Sequence, residues 1–384
     1  MLLEVLDFEK RRMTAAPEEY SIIEYQIYST GEIIIPFIGD SEHSTLARHI
    51  LNDFPFILFS SSTPCSNHLP QKLTVTFASP NITKIDEDHF HLGGEFPDEI
   101  ASDFVAFLSL YTRRRLFPGG ITRIGNLPIS EQADTNNRII RIRQLPREID
   151  TKDFYALLSN LQKMDRKIAE TFILSMRLYY YAVNIMYSDP EFSYLLLIIC
   201  LETIASIVNE KYMPNNIENY LDSRFSGWKE IHDHISPALR NNLIQLLLRN
   251  EHFTLKKVQE FVLNNLPEKF WLDTIDDAKT DYLYGIIDGD GEHYKKSDKI
   301  INEYEKITRD ELQKVLQTIY NARSKLVHTG KRFPASISIG LYEKYNPEVF
   351  TDLLKNPNKK LEIPTVLTFE RLVSYSMIEY LRKK

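Results

Sequence analysis

Hydrophobic and polar positions change rhythm once along this chain, near residue 150. Before it, short β-branched and aromatic runs alternate with turn residues: YQIY (25–28), EIIIPFI (32–38), FPFILFS (54–60) and KLTVTFA (72–78), with Gly31, Gly39-Asp40, Pro64 and Pro80-Asn81 between them. Such runs predict strands. One helical pattern interrupts them, PDEIASDFVAFLSLYTRRRL, with Asp98 and Glu99 at its positive end, Arg113, Arg114 and Arg115 at its negative end, and Pro118-Gly119-Gly120 as its stop. A short extended piece, RIIRIR (138–143), follows. From Thr151 the period is helical, beginning with one long pattern over 151–187. Asp189-Pro190 then resets the chain as N-cap and first helical residue and opens an apolar helix over 191–209. Shorter helices separated by Pro214, Pro237 and Pro267 occupy 212–300. The pattern predicts an α+β chain: a β-rich domain with one helix over 1–149, then an all-helical domain over 150–384.

The helix near the C-terminal end breaks the apolar rule. Thr308 and Glu311 have capping-box spacing. The stripe Leu312, Val315, Leu316, Ile319, Ala322, Leu326 marks one buried face, and Gly330 is the expected left-handed stop. Arg323 falls inside that stripe, where a charge is costly without a partner. Glu202, alone within LLLIICLETIASIV, is the carboxylate expected to pair with it across the bundle. His328 lies in the last turn, where the helix dipole favours a cation. Residues five apart on an α-helix point roughly 140° apart. Arg323 and His328 therefore do not share a face, whereas Ser324 and His328 do. Bringing the arginine and histidine to one ligand requires the long Arg side chain, a loosened last turn, or a second copy of the helix.

Composition narrows the classes. At 43% apolar and 26% charged the chain reads as a folded soluble protein, and a net charge of −7 confines any nucleic-acid site to a local patch. Cys65 and Cys200 are too few and too far apart for a disulfide framework or a cysteine metal site, which fits a reducing cytoplasm. The N-terminus does not read as a secretory signal. The most apolar stretch, Phe192 to Val208, contains Glu202 and reads as a buried helix rather than a membrane span. Residues 111–147 hold eight arginines against Glu131 and Asp134. Arg113, Arg114, Arg115, Arg141 and Arg143 are candidate RNA-backbone contacts, and pairing with the helical domain's acids is the equal alternative. The pairs His89/His91 and His232/His234 lack a third metal ligand. DGDGEH has His293 where a calcium loop needs glycine and Lys299 where it needs glutamate, and PGGITRIG lacks a phosphate loop's lysine.

The segment IYNARSKLVHTG, with R-x4-H, a polar residue after the arginine and glycine two after the histidine, resembles the HEPN superfamily, and within it the Apea-like branch of bacterial HEPN proteins. The pattern over 151–187, the helix containing CLETIAS and the closing TFERLVSYSMIEYL are similar to that family's helical bundle, and IASDFVAFLSLYTRRRL to the segment often preceding it. The resemblance covers about residues 150–384. It implies a HEPN-like bundle and metal-independent RNA cleavage, with no cofactor, at a site composed by two protomers. Arg323 would hold the scissile phosphate, His328 would move protons, and Ser324 would orient both, with Glu202 behind them. It further implies a cytoplasmic homodimer acting in toxin or antiphage defence, with an antitoxin or phage-derived trigger as partner and no membrane. The rival reading is a non-catalytic module binding protein or nucleic acid, or serving oligomerisation.

Overall fold

A computed structural model describes residues 20–30, 33–35, 56–60, 71–80, 83–84, 90–91, 97–124, 127–128, 147–213, 216–225, 227–249, 253–268, 270, 308–338, 341 and 363–384. The chain is a mixed α+β protein, mostly helical, with an antiparallel sheet near its N-terminus. In chain order the elements are β1 (Tyr20–Ser29), β2 (Ile33–Ile34), β3 (Phe56–Ser60), β4 (Gln71–Pro80), β5 (Thr83–Lys84), β6 (Phe90–His91), α1 (Pro97–Thr112), β7 (Leu116–Ile124), β8 (Leu127–Pro128) and β9 (Arg147–Glu148). Then come α2 (Thr151–Lys163), α3 (Arg166–Ile185), α4 (Pro190–Val208), α5 (Ile217–Arg224), α6 (Trp228–His232), α7 (Pro237–Arg249), α8 (Thr254–Asn265), α9 (Leu312–Thr329), a 3-10 turn (Ala335–Ser338) and α10 (Val366–Arg382).

The main sheet runs β3-β4-β1-β7-β8 with antiparallel neighbours. Alternation along β1 and β4 decides its buried face. Ile23, Tyr25 and Ile27 lie opposite Phe77, Val75 and Leu73, and all six are buried. Helix α1 packs on β1 and β7 and, on its other side, against α3. There Arg177 of α3 pairs at 2.5 Å with the buried Asp103 of α1. One continuous core consequently runs from the sheet through α1 into α3, α4, α8 and α10. Leu221, Trp228 and Ile244 form a separate cluster under α5 to α7.

Three local expectations need correction. The pattern over 151–187 is two helices, because Asp165 turns out of the helix and its carboxylate accepts the amides of Lys167 and Ile168, starting α3 afresh. Helix α1 ends at Thr112, not at Pro118-Gly119-Gly120, since Arg113 adopts a left-handed conformation (φ 54°). The Pro-Gly-Gly triplet lies within β7, at the register shifts against β1. A Cβ on Gly119 would stand 2.6 Å from the Tyr28 ring, so glycine is what lets the strands close there. The capping box at Thr308 is not formed. Thr308 to Glu311 make a turn in which the Thr308 hydroxyl donates to the Glu311 carboxylate, and the helix proper starts at Leu312. The segment RIIRIR, with Arg141 and Arg143, lies outside the described residues, as do Cys65 and DGDGEH.

Helix α4 begins as expected, with Asp189 accepting the Phe192 amide and Pro190 in the first turn. By length and composition it is apolar enough to cross a membrane, but only 44% of that stretch is buried. Tyr194, Leu197, Ile198, Leu201, Ile204 and Ala205 face the core. Phe192, Leu195 and Ile199, at helical spacing, form an outward apolar ridge on which Phe192 is 51% exposed.

The arginines after α1 turn inward. Arg114 is 1% exposed and cannot meet a nucleic acid, which corrects its reading as an RNA contact. The guanidinium of Arg113 covers the Tyr375 ring and that of Arg115 the Tyr187 ring, each at 5.1 Å, while Arg123 pairs with Glu24 at 3.2 Å. Beneath them Glu370 of α10 is buried and accepts the Tyr179 hydroxyl. Burial pushes its carboxyl pKa up, against the opposing charges of Arg113, Arg371 and Arg114. Above the ordinary carboxylate range the unfolded chain has therefore released a proton that the folded chain retains, so stability falls as pH rises through that window. In a Glu370→Gln variant the melting temperature should rise relative to wild type as the pH climbs above the ordinary carboxylate range. Parallel melting curves against pH would show that Glu370 carries no such cost.

Candidate functional site

The site grows where α9, packed on α8, meets α4 through one ion pair. Leu312, Leu316 and Ile319 are buried, and Val315, Ala322 and Leu326 pack at the margin of the core. The stripe thus fixes the rotation of α9, and Arg323 necessarily points toward α4. There its Nη2 donates to Glu202 Oε2 at 3.3 Å, the pairing expected from a charge on an apolar face. The two side chains remain 31% and 16% exposed, so the pair opens to solvent on one side.

The pair is incompletely matched. A guanidinium carries five N–H donors in a fixed fork, and Arg323 makes one long hydrogen bond while its buried Nε has no partner. Tyr320, one turn earlier on the same side, was absent from the sequence reading. Its hydroxyl is buried without a hydrogen bond of good geometry, and its pKa is raised by burial and then by the Glu202 carboxylate. The phenol therefore stays neutral and supplies a donor beside the arginine. Its place three residues before Arg323 was the available signal.

Ser324 and His328 lie on the exposed surface of α9, four residues apart. The helix holds its α-geometry to Thr329, and Gly330, left-handed at φ 68°, returns its N–H to Leu326 at 3.0 Å. The last turn is thus closed rather than loosened. Within one chain the structure brings Arg323 to Glu202 and Tyr320, and Ser324 to the same side as His328. It does not bring Arg323 and His328 together, because their directions differ by roughly 140°.

One turn past His328 the chain crosses the start of α4. Arg332 donates Nε to both carboxylate oxygens of Glu191, at 3.1 and 2.9 Å. Below lies a cavity of about 400 Å³ between Ser188–Glu191 and Arg332–Ser338. A second cavity of about 390 Å³ lies between α1, α2 and α10, with Tyr111, Arg113, Asp153 and Arg382 in its wall. Asp153 there binds Arg382 through both oxygens and accepts the Tyr111 hydroxyl, and Glu148 and Asp150 also line the cavity. Among the described residues no group of three His, Cys, Asp or Glu side chains is placed to hold a metal. Cys200 is buried, and burial pushes its thiol pKa up, against nucleophilic use.

Glu202→Ala should leave Arg323 without its counterion and lower stability by about 1–2 kcal/mol, below the cost for a fully buried pair because water reaches this one. Glu202→Ala with Arg323→Ala should recover part of that loss in chemical denaturation. Strict additivity would mean the two charges are uncoupled. Comparison of the chain with models of known protein families, with curated proteins and with solved structures returns no match.

Proposed function

We propose that this protein is a metal-independent endoribonuclease of the HEPN type, with a HEPN-like bundle formed by the helices from α2 onward and an RNA phosphate held between two protomers. One observation carries the reading: Arg323, 31% exposed, meets Glu202 through a single long hydrogen bond, and its buried Nε has no partner. A phosphate group can take the remaining donors, since two of its oxygens accept from a guanidinium fork as the two oxygens of a carboxylate do. Ser324 and His328, exposed four residues apart on α9, supply the polar and proton-transferring groups.

In the proposed reaction the ribose 2′-oxygen attacks phosphorus as its proton passes to a neutral imidazole. The P–O5′ bond breaks, and a protonated imidazole delivers a proton to the departing 5′-oxygen. The products are a 2′,3′-cyclic phosphate and a 5′-hydroxyl, and no oxidant or metal enters the balance. Arg323 offsets the negative charge on the non-bridging oxygens as it concentrates in the transition state. His328 suits the proton transfers because imidazole titrates nearest neutral pH. The antiphage or toxin role follows the family resemblance, and the trigger would act through the sheet-bearing N-terminal part.

The pairing of Arg323 with Glu202 also favours a second reading, a non-catalytic HEPN bundle in which the arginine only ties α9 to α4. Incubating RNA with the purified chain in EDTA, beside His328→Ala, separates the two. Cleavage lost with the histidine supports the nuclease, and an inert wild type supports the binding module.

A further inference from the structure

Resting on the ribonuclease reading, we propose that the surface just beyond α9 is a docking subsite for single-stranded RNA, with Arg332 and Lys331 on the phosphates and the cavity beneath Arg332 receiving one unpaired base. Three independent features support it. The first is charge. From Leu312 to Tyr342 the sequence contains no Asp or Glu, while Lys314, Arg323, Lys325, Lys331 and Arg332 are cationic, on a chain whose net charge is −7. Lys325 and Lys331 are exposed and meet no carboxylate among the described residues. The C-terminal end of a helix carries about half a negative charge, which two unpaired lysines outweigh.

The second feature is the attitude of Arg332. Its side chain is 80% exposed yet fixed, because Glu191 takes only the Nε–H. Both terminal nitrogens of the fork, with four N–H donors, make no hydrogen bond to a described residue. A freely solvated arginine would lose more side-chain entropy on meeting a phosphate; here much of that ordering is already present. Gly330 makes this placement possible, since its left-handed turn carries Lys331 and Arg332 off the helix axis and across the start of α4.

The third feature is the cavity. Its volume of about 400 Å³ is in the range of small-molecule pockets and accommodates a nucleobase with part of its sugar. Pro190, Phe333, Pro334 and Ile337 give it apolar walls, Ser188 and Ser338 give polar groups, and its two carboxylates are engaged, Asp189 with the Phe192 amide and Glu191 with Arg332. Such a slot accepts a base only when that base is unpaired, so the subsite selects single strands over duplex. The cavity wall on this segment begins at Arg332, four residues past His328.

The test is fluorescence anisotropy in EDTA with a labelled oligouridylate, alone and annealed to its complement, on full-length protein carrying His328→Ala to prevent turnover. Each phosphate contact on a single strand contributes about 0.7 to the slope of log affinity against log salt, so Lys331→Gln with Arg332→Gln should reduce that slope by about 1.4. Ala335→Trp, placed in the cavity wall, should weaken single-strand binding about tenfold, the loss of one stacked base, and leave duplex binding unchanged. An unchanged slope in the double variant overturns the subsite even if wild-type protein cleaves RNA, which would leave the ribonuclease reading standing. If wild type neither binds nor cleaves the RNA, both fall together. Should Ala335→Trp lower the melting temperature, the two exposed surface substitutions decide alone.

Discussion

RNA incubated with the wild-type chain in excess EDTA should be cut to fragments ending in 2′,3′-cyclic phosphate, and His328→Ala should lose about 10²- to 10⁴-fold in rate, the span expected for one proton-transferring group. Arg323→Ala should lose about 10²- to 10³-fold, comparable to removing one preorganised donor from a developing oxyanion. The two variants should differ in their cause. His328 is exposed at the helix end, so its replacement should leave the melting temperature unchanged. Arg323 is the partner of Glu202, so its loss strands a partly buried carboxylate and costs stability as well. Arg323→Lys keeps the charge but not the fork, and should restore stability more than rate. Ser324→Ala should reduce the rate less than either, because it orients rather than transfers. Cleavage that requires added Mg²⁺, or that persists in both alanine variants, would remove these residues from the chemistry.

Legibility in the sequence followed how local the determining physics was. Asp189-Pro190 could be placed without a structure because a cap and a proline act on the helix they begin. The Glu202–Arg323 pair was legible for a different reason: each was the one charge within an apolar stretch, and low-dielectric surroundings demand a partner. Asp165 was missed because nothing in its neighbours distinguishes an aspartate that caps from one that lies on a solvated helix face. Gly119 and Gly120 read as a helix stop, yet Gly119 is required by Tyr28, a residue some 90 positions earlier whose ring occupies the space of a Cβ, and Gly120 by its left-handed φ of 98°. Arg113 to Arg115 read as a surface charge run. The burial of Arg114 and the half-burial of Arg113 and Arg115 go with Glu370, Tyr375 and Tyr187, which only the fold brings near. In the site, the stripe of α9 fixed which way Arg323 points. The carboxylate-free stretch beyond it acquires meaning only when Arg332 is seen to cross α4 at Glu191.

The protein should run in light scattering at about twice its 44.9 kDa chain mass. The closed last turn of α9 keeps Arg323 and His328 about 140° apart in one chain. One protomer therefore presents an arginine at the α4–α9 seam and a histidine on a different side, and a phosphate cannot meet both. A two-fold axis past the end of α9 lets the arginine of one chain face the histidine of the other. The ridge of Phe192, Leu195 and Ile199, with the exposed Val327 across the seam, is the apolar surface such a contact would cover. A stable contact should bury at least about 1,000 Å² in total. Leu195→Glu with Ile199→Glu, both outward, should leave the fold intact, halve the mass and abolish cleavage. Mixing Arg323→Ala with His328→Ala protomers is the sharper measurement, since each alone is inactive. If half the dimers are mixed and one of their two shared sites is intact, about a quarter of wild-type activity should return. No recovery in a verified mixed dimer would place Arg and His of one site on the same chain. A strictly monomeric protein that still cleaves RNA would refute the shared site even with both residues catalytic.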